Sequence, residues 1–573
     1  MATTAGGETP AIDGSEDDDL DPRRWWTLGI LITTVILIAV DTSVLNVSIP
    51  TILRDLETTV PSLQWVITGY SLTFATFLIV GGRLGDIYGH RRLFVIGASL
   101  FGLGSLLASE ATSVGMLIAG EAVVEGIGAA LLAPATLAIL STTFKGRERA
   151  TAFAAWGATA GAAVALGPVM GGFLTTNYSW RWSFRINVVV APLAVLGAML
   201  VMRRGERARK VPIDLPGAAL IASGMFLLVF ALSEGGQYGW LRSTETFSIG
   251  SVQVWSAAWP ISIVPVAFAA GLVLLAVFVV YERGKERRGT NPLFELSQLR
   301  FKTFRYGLLT LGILAMGQLG LLFALPLFLQ DAVHLSAEEN GLWLLPLGIF
   351  VIVGSQVGGR LTRIIGTTVV VRVGLLAEAA ALVLIVWSIT PDITFWKIVP
   401  GLALFGMGLG FASSQLTNVI LSEIDADKSG VAGGATSTAR QLGAALGAAV
   451  IGSLITVQTT NHAILAVEAS PTLSPAVRAQ ASAGLQALGP NYAPPPSLGP
   501  VDVEALNHVL TQALADASRL ALVFAAVVVF IGALLSFLIP KVSPPRRRGA
   551  AEVVDAFDAL DPVEVDRSLL DAT

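Results

Sequence analysis

The chain has 573 residues, of which 53% are apolar and only 14% are charged, and its mean hydropathy is +0.70. A soluble domain carries about 25% charged residues, so this composition indicates a protein that lies in lipid. The net charge of −4 gives no indication of nucleic-acid binding. The absence of cysteine excludes disulfides and Cys-ligated metals, and four dispersed histidines predict no metal site.

Apolar runs bounded by charged residues or by Gly and Pro recur along the whole chain. Each run has about 20 residues or more, which is enough to cross a hydrocarbon core of about 30 Å as a helix. Fourteen membrane-spanning helices are predicted, near residues 26–49, 64–85, 92–110, 115–141, 150–175, 184–202, 214–234, 258–281, 304–330, 339–362, 368–390, 396–422, 431–458 and 518–539. We therefore expect an all-α polytopic membrane protein.

Lys and Arg concentrate in alternate connections between the predicted spans. The basic connections lie around residues 23–24, 83–92, 145–149, 203–210, 283–305 and 546–548. Because basic loops stay on the cytoplasmic side, both termini are predicted to be cytoplasmic, in a multi-pass protein of the inner membrane. The acidic start of the chain lacks the basic region of a cleaved signal peptide, so the first span is expected to remain.

Regions outside the spans are predicted from composition. Residues 1–24 and 541–573 read as cytoplasmic tails, and the segment of about 459–517, which has Arg478 as its single basic residue, reads as a long external loop. Within that loop, residues 501–516 are predicted to form a surface helix. No chemistry is assigned to it.

An internal repeat divides the spans into two sets. Gly82-Arg83-Leu84-Gly85-Asp86-Ile87-Tyr88-Gly89 and Gly359-Arg360-Leu361-Thr362-Arg363-Ile364-Ile365-Gly366 share five identities in one spacing. If the two copies occupy equivalent loops, residues 25–203 and 301–540 form two six-helix bundles, and residues 204–300 supply two inserted central helices. Two bundles around a central cavity are typical of transporters.

The segment from Gly82 to Arg92 resembles the loop signature of the major facilitator superfamily. Further matches are Asp41–Pro50, Gly167–Gly172 and Trp180–Asn187, and the fourteen-helix plan is similar to the drug:proton antiporter branch. The resemblance implies a proton-coupled exporter of hydrophobic or cationic small molecules, which works by alternating access without a cofactor. No phosphate-binding loop or hydrolase motif appears, so an enzyme is not expected.

Four carboxylates fall inside predicted spans, where an ionised acid is costly unless it faces a cavity or a partner. They are Asp41, Glu121, Glu125 and Glu378. Asp41 and Glu121 lie at similar depths, and Glu121 and Glu125 share a helix face. Glu378 is expected to be structural. In the family the helices of the other three line the cavity, so these three carboxylates are predicted to meet.

Neighbouring carboxylates in a poorly hydrated site cannot all be ionised, so they should titrate as a coupled set. We expect protons and substrate to compete for Asp41, Glu121 and Glu125, which would also favour cationic substrates. Ala122 stands where the family usually has an arginine, and Arg440 is the candidate for a replacement positive charge. Hydrogen-bonded helix packing is the structural alternative for each of these residues.

Two further sets of residues follow from the resemblance. Gly82, Asp86, Gly89, Arg91 and Arg92 are expected to form a conformational latch, with Asp86 at the start of the helix near Ser429-Gly430. Gly167, Pro168, Gly171 and Gly172 match the antiporter motif of the fifth helix. Each set has a structural alternative. Arg91 and Arg92 could be basic only because the loop is cytoplasmic, and the glycines of the motif could reflect only the high glycine content of membrane helices.

Polar residues within the spans are weaker candidates for substrate contact. The predicted cavity-lining residues are Asn46, Gln318, Ser414, Gln415 and Asn418. The expected partners are a small-molecule substrate, the lipid bilayer and protons, without nucleic acid. Two alternatives stay open, namely an exporter of a lipid or an endogenous metabolite, and a membrane sensor that does not transport.

Overall fold

A computed structural model describes residues 21–542 except 59, 204–211, 250–251, 391, 426–427, 490–491, 493 and 496–497. This part of the chain is almost entirely helical, as predicted, with one short β-hairpin. The predicted tails lie outside the described residues, apart from residues 21–24 and 541–542. The predicted basic stretch 204–210 lies outside them too.

Sixteen α-helices make up the described fold, and most of them are longer than a hydrocarbon core requires. They are α1 Arg24–Asp55, α2 Val60–Tyr88, α3 His90–Ser109, α4 Val114–Leu117, α5 Gly126–Thr143, α6 Gly146–Asn177, α7 Arg181–Val201, α8 Leu215–Tyr238, α9 Ile263–Arg287, α10 Lys302–Leu327, α11 Ala337–Ile365, α12 Thr367–Ser388, α13 Phe395–Ile420, α14 Ser429–Ala469, α15 Pro475–Leu488 and α16 Pro500–Ser536. The strands β1 Phe247–Ile249 and β2 Val252–Trp255 pair antiparallel between α8 and α9.

Among the described residues, twelve helical segments are long and apolar enough to cross a membrane. The two long helices outside this set are α1 and α6, each of 32 residues. Several residues of both lie outside the description, and α1 contributes only the shorter apolar stretch Arg24–Ile38. The polytopic helical fold is confirmed, whereas the count of fourteen stays a prediction.

The helices pack as two groups with a hairpin beside them. Helices α1–α5 and α7 contact mainly helices of the first group, and α10–α14 and α16 contact mainly helices of the second, whereas α6 packs extensively on α1 and on α11. The groups meet where α2 and α5 contact α14 and where α6 contacts α11 and α13. The hairpin α8–α9 lies against α2, where Trp65 stacks on Phe230 with their ring centroids 6.2 Å apart.

A salt bridge fixes the base of this hairpin. Asp214 accepts hydrogen bonds from the backbone N–H of Gly217 (3.1 Å) and from the Tyr281 hydroxyl (3.1 Å), and it pairs with Lys285 Nζ at 2.8 Å. Burial alone would favour the neutral acid, but the Lys285 ammonium and the Gly217 N–H outweigh it and hold the Asp214 pKa below its usual value. The inserted pair is therefore anchored at its entry point.

The predicted external loop is largely helical. Helix α14 continues past residue 458 to Ala469, and the predicted surface helix 501–516 and last span 518–539 are one 37-residue helix, α16. The separation was wrong because the polar start of α16 lowers its hydropathy without interrupting the helix. With α15, these outer ends form a helical cap around a separate core of Ala463, Val467, Leu473, Ala481, Leu485, Tyr492, Leu506 and Ala513.

The predicted span 115–141 contains an irregularity that positions functional groups. Between α4 and α5 the chain forms a π-helix over Ile118–Glu125, which includes both glutamates of that span. Short π-helical turns inside α-helices occur frequently at functional sites, because they re-aim side chains.

Candidate functional site

Three carboxylates meet inside the first group of helices, as the sequence predicts. Asp41 comes from α1, and Glu121 and Glu125 come from the π-helix. Their relative exposures are 3%, 1% and 0%, and one oxygen of each lies within 4.8 Å of the other two. We call these three residues the acid cluster.

The neutral amide of Asn187 in α7 donates hydrogen bonds to the acid cluster. Its Nδ2 donates to Asp41 Oδ1 at 2.9 Å and to Glu125 Oε1 at 3.3 Å. Among the described side chains, no Lys or Arg forms an ion pair with the cluster. Arg440, the candidate for the replacement charge, contacts Thr417 and Trp156 and forms no described ion pair with the cluster, so its role as a counter-charge stays a prediction.

Proton binding is the chemistry that this arrangement supports. Asp41 Oδ2, Glu121 Oε2 and Glu125 Oε2 are buried and have no hydrogen-bond partner among the described residues. Three anions at this separation, without a positive charge, would be very costly in a dry interior, so the arrangement suits groups that bind protons.

A cavity of about 290 Å³ lies between the two groups of helices. Apolar and aromatic side chains make up most of its wall, with a few polar groups and one charged group. The lining residues are Thr34, Val35, Ile38, Phe74, Ala133, Thr136, Leu137, Trp156, Gly157, Gln318, Leu322, Leu347, Leu409, Ser413, Thr436, Ser437, Arg440 and Gln441. This composition suits a largely apolar small molecule.

The acid cluster lies next to the cavity but does not line it. Ile38 lines the cavity and stands three residues, or almost one turn, before Asp41 in α1. Phe74 also lines it and stacks on the buried Tyr70, with their ring centroids 6.0 Å apart. The three acids are not among the described lining residues of the cavity, so the expectation that they favour cationic substrates stays a prediction.

The charged group in the cavity wall is Arg440. Its Nη2 donates to Thr417 Oγ1 at 3.4 Å, and its guanidinium carbon lies 5.8 Å from the centre of the Trp156 ring. No carboxylate among the described residues pairs with it. The sequence indicated a deep base in this helix, but it did not indicate the cavity that the base faces.

Of the predicted cavity-lining residues, Gln318 is in the wall and Ser414 and Gln415 are not. Ser413 lines the cavity instead, whereas Gln415 is fully buried and its Nε2 donates to Ala150 O of α6 at 3.3 Å. One helical position turns a side chain by about 100°, which explains the difference.

For two other residues that were predicted to line the cavity, the described part of the structure shows no contact with it. Asn418 is half-buried and is not among the lining residues. The side chain of Asn46 lies outside the described residues.

Glu378 is fully buried and close to the cavity wall. Gln318 Nε2 donates to Glu378 Oε2 at 3.2 Å, while the Gln318 side chain lines the cavity. Glu378 therefore supports a cavity residue from behind, which agrees with the structural role expected of it.

Asp86 makes the predicted contact with the second group of helices. Its Oδ1 accepts from Gly430 N at 2.8 Å and its Oδ2 from Val431 N at 3.0 Å, so the carboxylate sits at the positive N-terminus of α14. A Cβ on Gly82 would lie 2.8 Å from the Gly430 carbonyl carbon, so glycine permits this close approach. The position of Asp86 suits a latch between the two groups.

The other predicted latch residues have separate roles. Arg91 donates from Nε to Ala198 O at 3.0 Å, so it satisfies the C-terminal end of α7 and does not join the contact of Asp86 with α14. Arg92 is exposed. Gly89 has a φ of +96°, a backbone conformation that favours glycine, at the turn between α2 and α3.

The antiporter motif lies within α6. The backbone is helical throughout Gly146–Asn177, and Gly167 and Gly171 are buried. The surroundings of Pro168 and Gly172 lie outside the described residues. The role of the motif stays a prediction.

Sequence comparison identifies the class of protein that this fold and cavity define. Residues 31–448 match the Major Facilitator Superfamily, so the chain belongs to this family and is a multi-pass membrane transporter, not an enzyme. The prediction of the family is confirmed.

Its relatives include named export and resistance proteins. The chain is 34% identical to the probable actinorhodin transporter of Streptomyces coelicolor, over 75% of this chain and 72% of that protein. It is 32% identical to the puromycin resistance protein pur8 of Streptomyces alboniger, over 77% and 84%. It is 27% identical to the multidrug resistance protein B homolog of Mycobacterium tuberculosis, over 96% and 95%.

The fold is also similar to a solved structure. The human organic anion transporter MFSD10 (TETRAN) superposes with a TM-score of 0.54 over 90% of this chain and 100% of that chain, at 13% sequence identity. This likeness supports the fold alone.

Proposed function

We propose that the protein exports hydrophobic, drug-like small molecules across the cytoplasmic membrane in exchange for protons, by alternating access. Both termini lie in the cytoplasm in this proposal, as the distribution of Lys and Arg predicts. The family and the antibiotic-related names of the relatives support export as the direction of transport.

The observation that carries the proposal is the position of the acid cluster beside the central cavity, with Asp41 almost one turn beyond the cavity residue Ile38. A proton that binds Asp41 or Glu125 must weaken the acceptor that holds the Asn187 amide, which changes the contact between α1, the π-helix and α7. Ile38 carries this change to the cavity wall, because it lines the cavity and lies almost one turn before Asp41 in α1. Proton binding and substrate binding are coupled through these side chains.

In this proposal, the Asp86 contact stabilises the state in which the cavity is closed to the cytoplasm, which is one of the two states that alternating access requires. It joins the two groups of helices at the end predicted to be cytoplasmic, with charge-assisted hydrogen bonds to Gly430 and Val431. Breaking this contact opens the cavity to the cytoplasm, and re-forming it closes that side.

A second candidate function is the export of one endogenous compound or lipid. It is favoured by relatives whose names mention a single compound, such as the cephamycin export protein of Amycolatopsis lactamdurans. Resistance of cells to many unrelated compounds supports the first candidate, whereas protection against one compound supports the second.

The test is transport by purified protein in liposomes. Puromycin and two fluorescent dyes should leave the liposomes only when a pH gradient is imposed. The substitutions Asp41→Asn, Glu121→Gln and Glu125→Gln should each reduce the rate of this efflux at least tenfold. Glu110→Gln is the matched control, because Glu110 is exposed and pairs with Arg185 at the surface. Gradient-independent flux, or full activity in all three variants, would contradict proton coupling through the cluster.

A further inference from the structure

We propose that the central cavity selects anionic aromatic compounds, whose carboxylate or phenolate binds Arg440 and whose ring lies against Trp156. This inference rests on the proposed export function and names the class of substrate. It is opposite to the cationic preference expected from the sequence.

The charge of the described cavity wall is positive. Among its eighteen described lining residues, Arg440 alone has a side chain that is charged at neutral pH. The nearest acids along the chain stand behind the wall, with Asp41 beyond Ile38 and Glu378 behind Gln318. A molecule in the cavity therefore meets one cation and no described anion.

Arg440 has unused capacity for hydrogen bonds. A guanidinium has five N–H donors, and Thr417 Oγ1 accepts from one of its nitrogens in the described structure. Its side chain is only half-buried because it opens into the cavity. Burying a cation at this depth without a counter-charge costs several kcal/mol of free energy. A bound anion would accept hydrogen bonds from the free N–H groups and would also offset this desolvation cost.

The geometry of arginine suits a planar acidic group. Its fork of N–H groups matches the two oxygens of a carboxylate, and it also donates well to a phenolate. Trp156, beside the guanidinium, and Phe74 give the cavity aromatic surfaces on which a flat ring can pack. The apolar remainder of the wall accommodates an otherwise hydrophobic skeleton.

Cations are disfavoured by the same group. A positive charge in the cavity would lie near Arg440 in surroundings of low polarity, where repulsion is much stronger than in water. The acid cluster offers a cation no direct contact, because it does not line the cavity. Selectivity between anion and cation is therefore set by one residue.

The experiment compares two dyes that share a three-ring xanthene skeleton but differ in charge. Fluorescein is an anion at neutral pH and rhodamine 123 is a cation. Binding is measured by fluorescence anisotropy with the full-length protein in lipid nanodiscs. We expect fluorescein to bind more tightly to the wild type, and Arg440→Gln to weaken it about tenfold or more without weakening rhodamine 123.

Two further variants keep the test decisive. Arg440→Lys retains the charge but loses the fork, so fluorescein binding should fall less than in Arg440→Gln; it also serves if the glutamine variant does not fold. Arg300→Gln, at an exposed arginine beside Phe301, is the matched control and should bind both dyes like the wild type.

The outcomes separate this inference from the proposed function. Equal or tighter binding of rhodamine 123 to the wild type, or unchanged fluorescein binding in Arg440→Gln, overturns the inference. If a pH gradient drives rhodamine 123 but not fluorescein from liposomes, export stands and the anionic preference falls. If the gradient drives neither dye nor puromycin, the export function falls, while the binding measurement still decides the charge preference.

Discussion

Asn187 shows how one neutral side chain organises the acid cluster. It is 2% exposed, and its single NH₂ group donates to carboxylates from two different helices. An amide can hold these oxygens whether or not neighbouring acids carry protons, whereas a lysine or arginine would hold them ionised. In the proposed mechanism, a neutral donor therefore allows the cluster to gain and lose protons.

Replacing Asn187 should uncouple transport from the proton gradient. Asn187→Ala removes two hydrogen bonds to acidic groups, each worth about 1.5–3 kcal/mol when the acceptor is charged. We expect gradient-driven efflux in liposomes to fall at least tenfold. Asn177→Ala is the matched control, since that amide is exposed and donates to Phe173 O within α6. Normal coupling in Asn187→Ala would show that the amide is only a packing group.

Individual site residues were predictable where hydropathy alone exposes them. An acid inside an apolar span stands out, and the meeting of Asp41, Glu121 and Glu125 was predicted from their similar depths together with the arrangement of helices that the family resemblance implies. Asn187 did not stand out, because neutral polar residues are common in such spans and the residue was noticed only within a motif. Ser414 was predicted to line the cavity, but Ser413 lines it instead. Which of the two faces the cavity depends on the rotation of the helix about its axis, and packing between helices determines that rotation.

Among the elements, α14 receives the most consequential contact at its first turn. The unpaired N–H groups of Gly430 and Val431 meet the Asp86 carboxylate of α2, so a helix end that would otherwise need water is satisfied by the other group of helices. Glycines at 82 and 430 bring the two backbones together.

Loss of the Asp86 charge should open the cavity towards the cytoplasm. A charge at a helix N-terminus contributes about 0.3–2 kcal/mol, so Asp86→Asn should speed access several-fold. Since the chain has no cysteine, Ser437→Cys places a single thiol in the cavity wall, and its reaction with maleimide from the cytoplasmic side reports access. Asp516→Asn is the control. An unchanged labelling rate would contradict the latch.

The helical cap should be a separate unit of stability. Leu485 of α15 is fully buried in its small core, away from the main core of the membrane helices. Leu485→Ala should cost about 2–5 kcal/mol locally. Hydrogen exchange should accelerate within residues 463–513 and stay unchanged in α2 and α10. Acceleration throughout the protein would show that the cap and the membrane helices unfold together.

For the whole molecule, the sequence located most helices to within a few residues, because hydrophobic length is imposed by the bilayer itself. The predicted helix ends were wrong where the helices leave the bilayer. Helix α16 begins before its apolar segment, and helix α14 continues beyond its apolar segment. The sequence also could not indicate the π-helix, since nothing in the order of residues Ile118–Glu125 distinguishes a π-helical turn from an α-helical one. The packing of one group of helices on the other determines the cavity, and no local pattern encodes it.

The proposed topology makes a direct prediction for intact cells. Gln486→Cys, on an exposed position of α15, should react with a membrane-impermeant maleimide added outside. Arg300→Cys, exposed in the connection before α10, should react only after the cells are opened. The reverse pattern would place both termini outside.

Helix α14 connects three regions that have so far been described apart. It starts at the Asp86 contact, passes Arg440 in the cavity wall and ends at Val467 in the cap, over about 60 Å at 1.5 Å per residue. Along the helix, at 1.5 Å per residue, Arg440 lies about 15 Å from Gly430 but about 40 Å from Val467. If the helix tilts as a rigid body about a point near Arg440, the cap end moves further than the latch end, so distances across the outer surface would report which side the cavity faces.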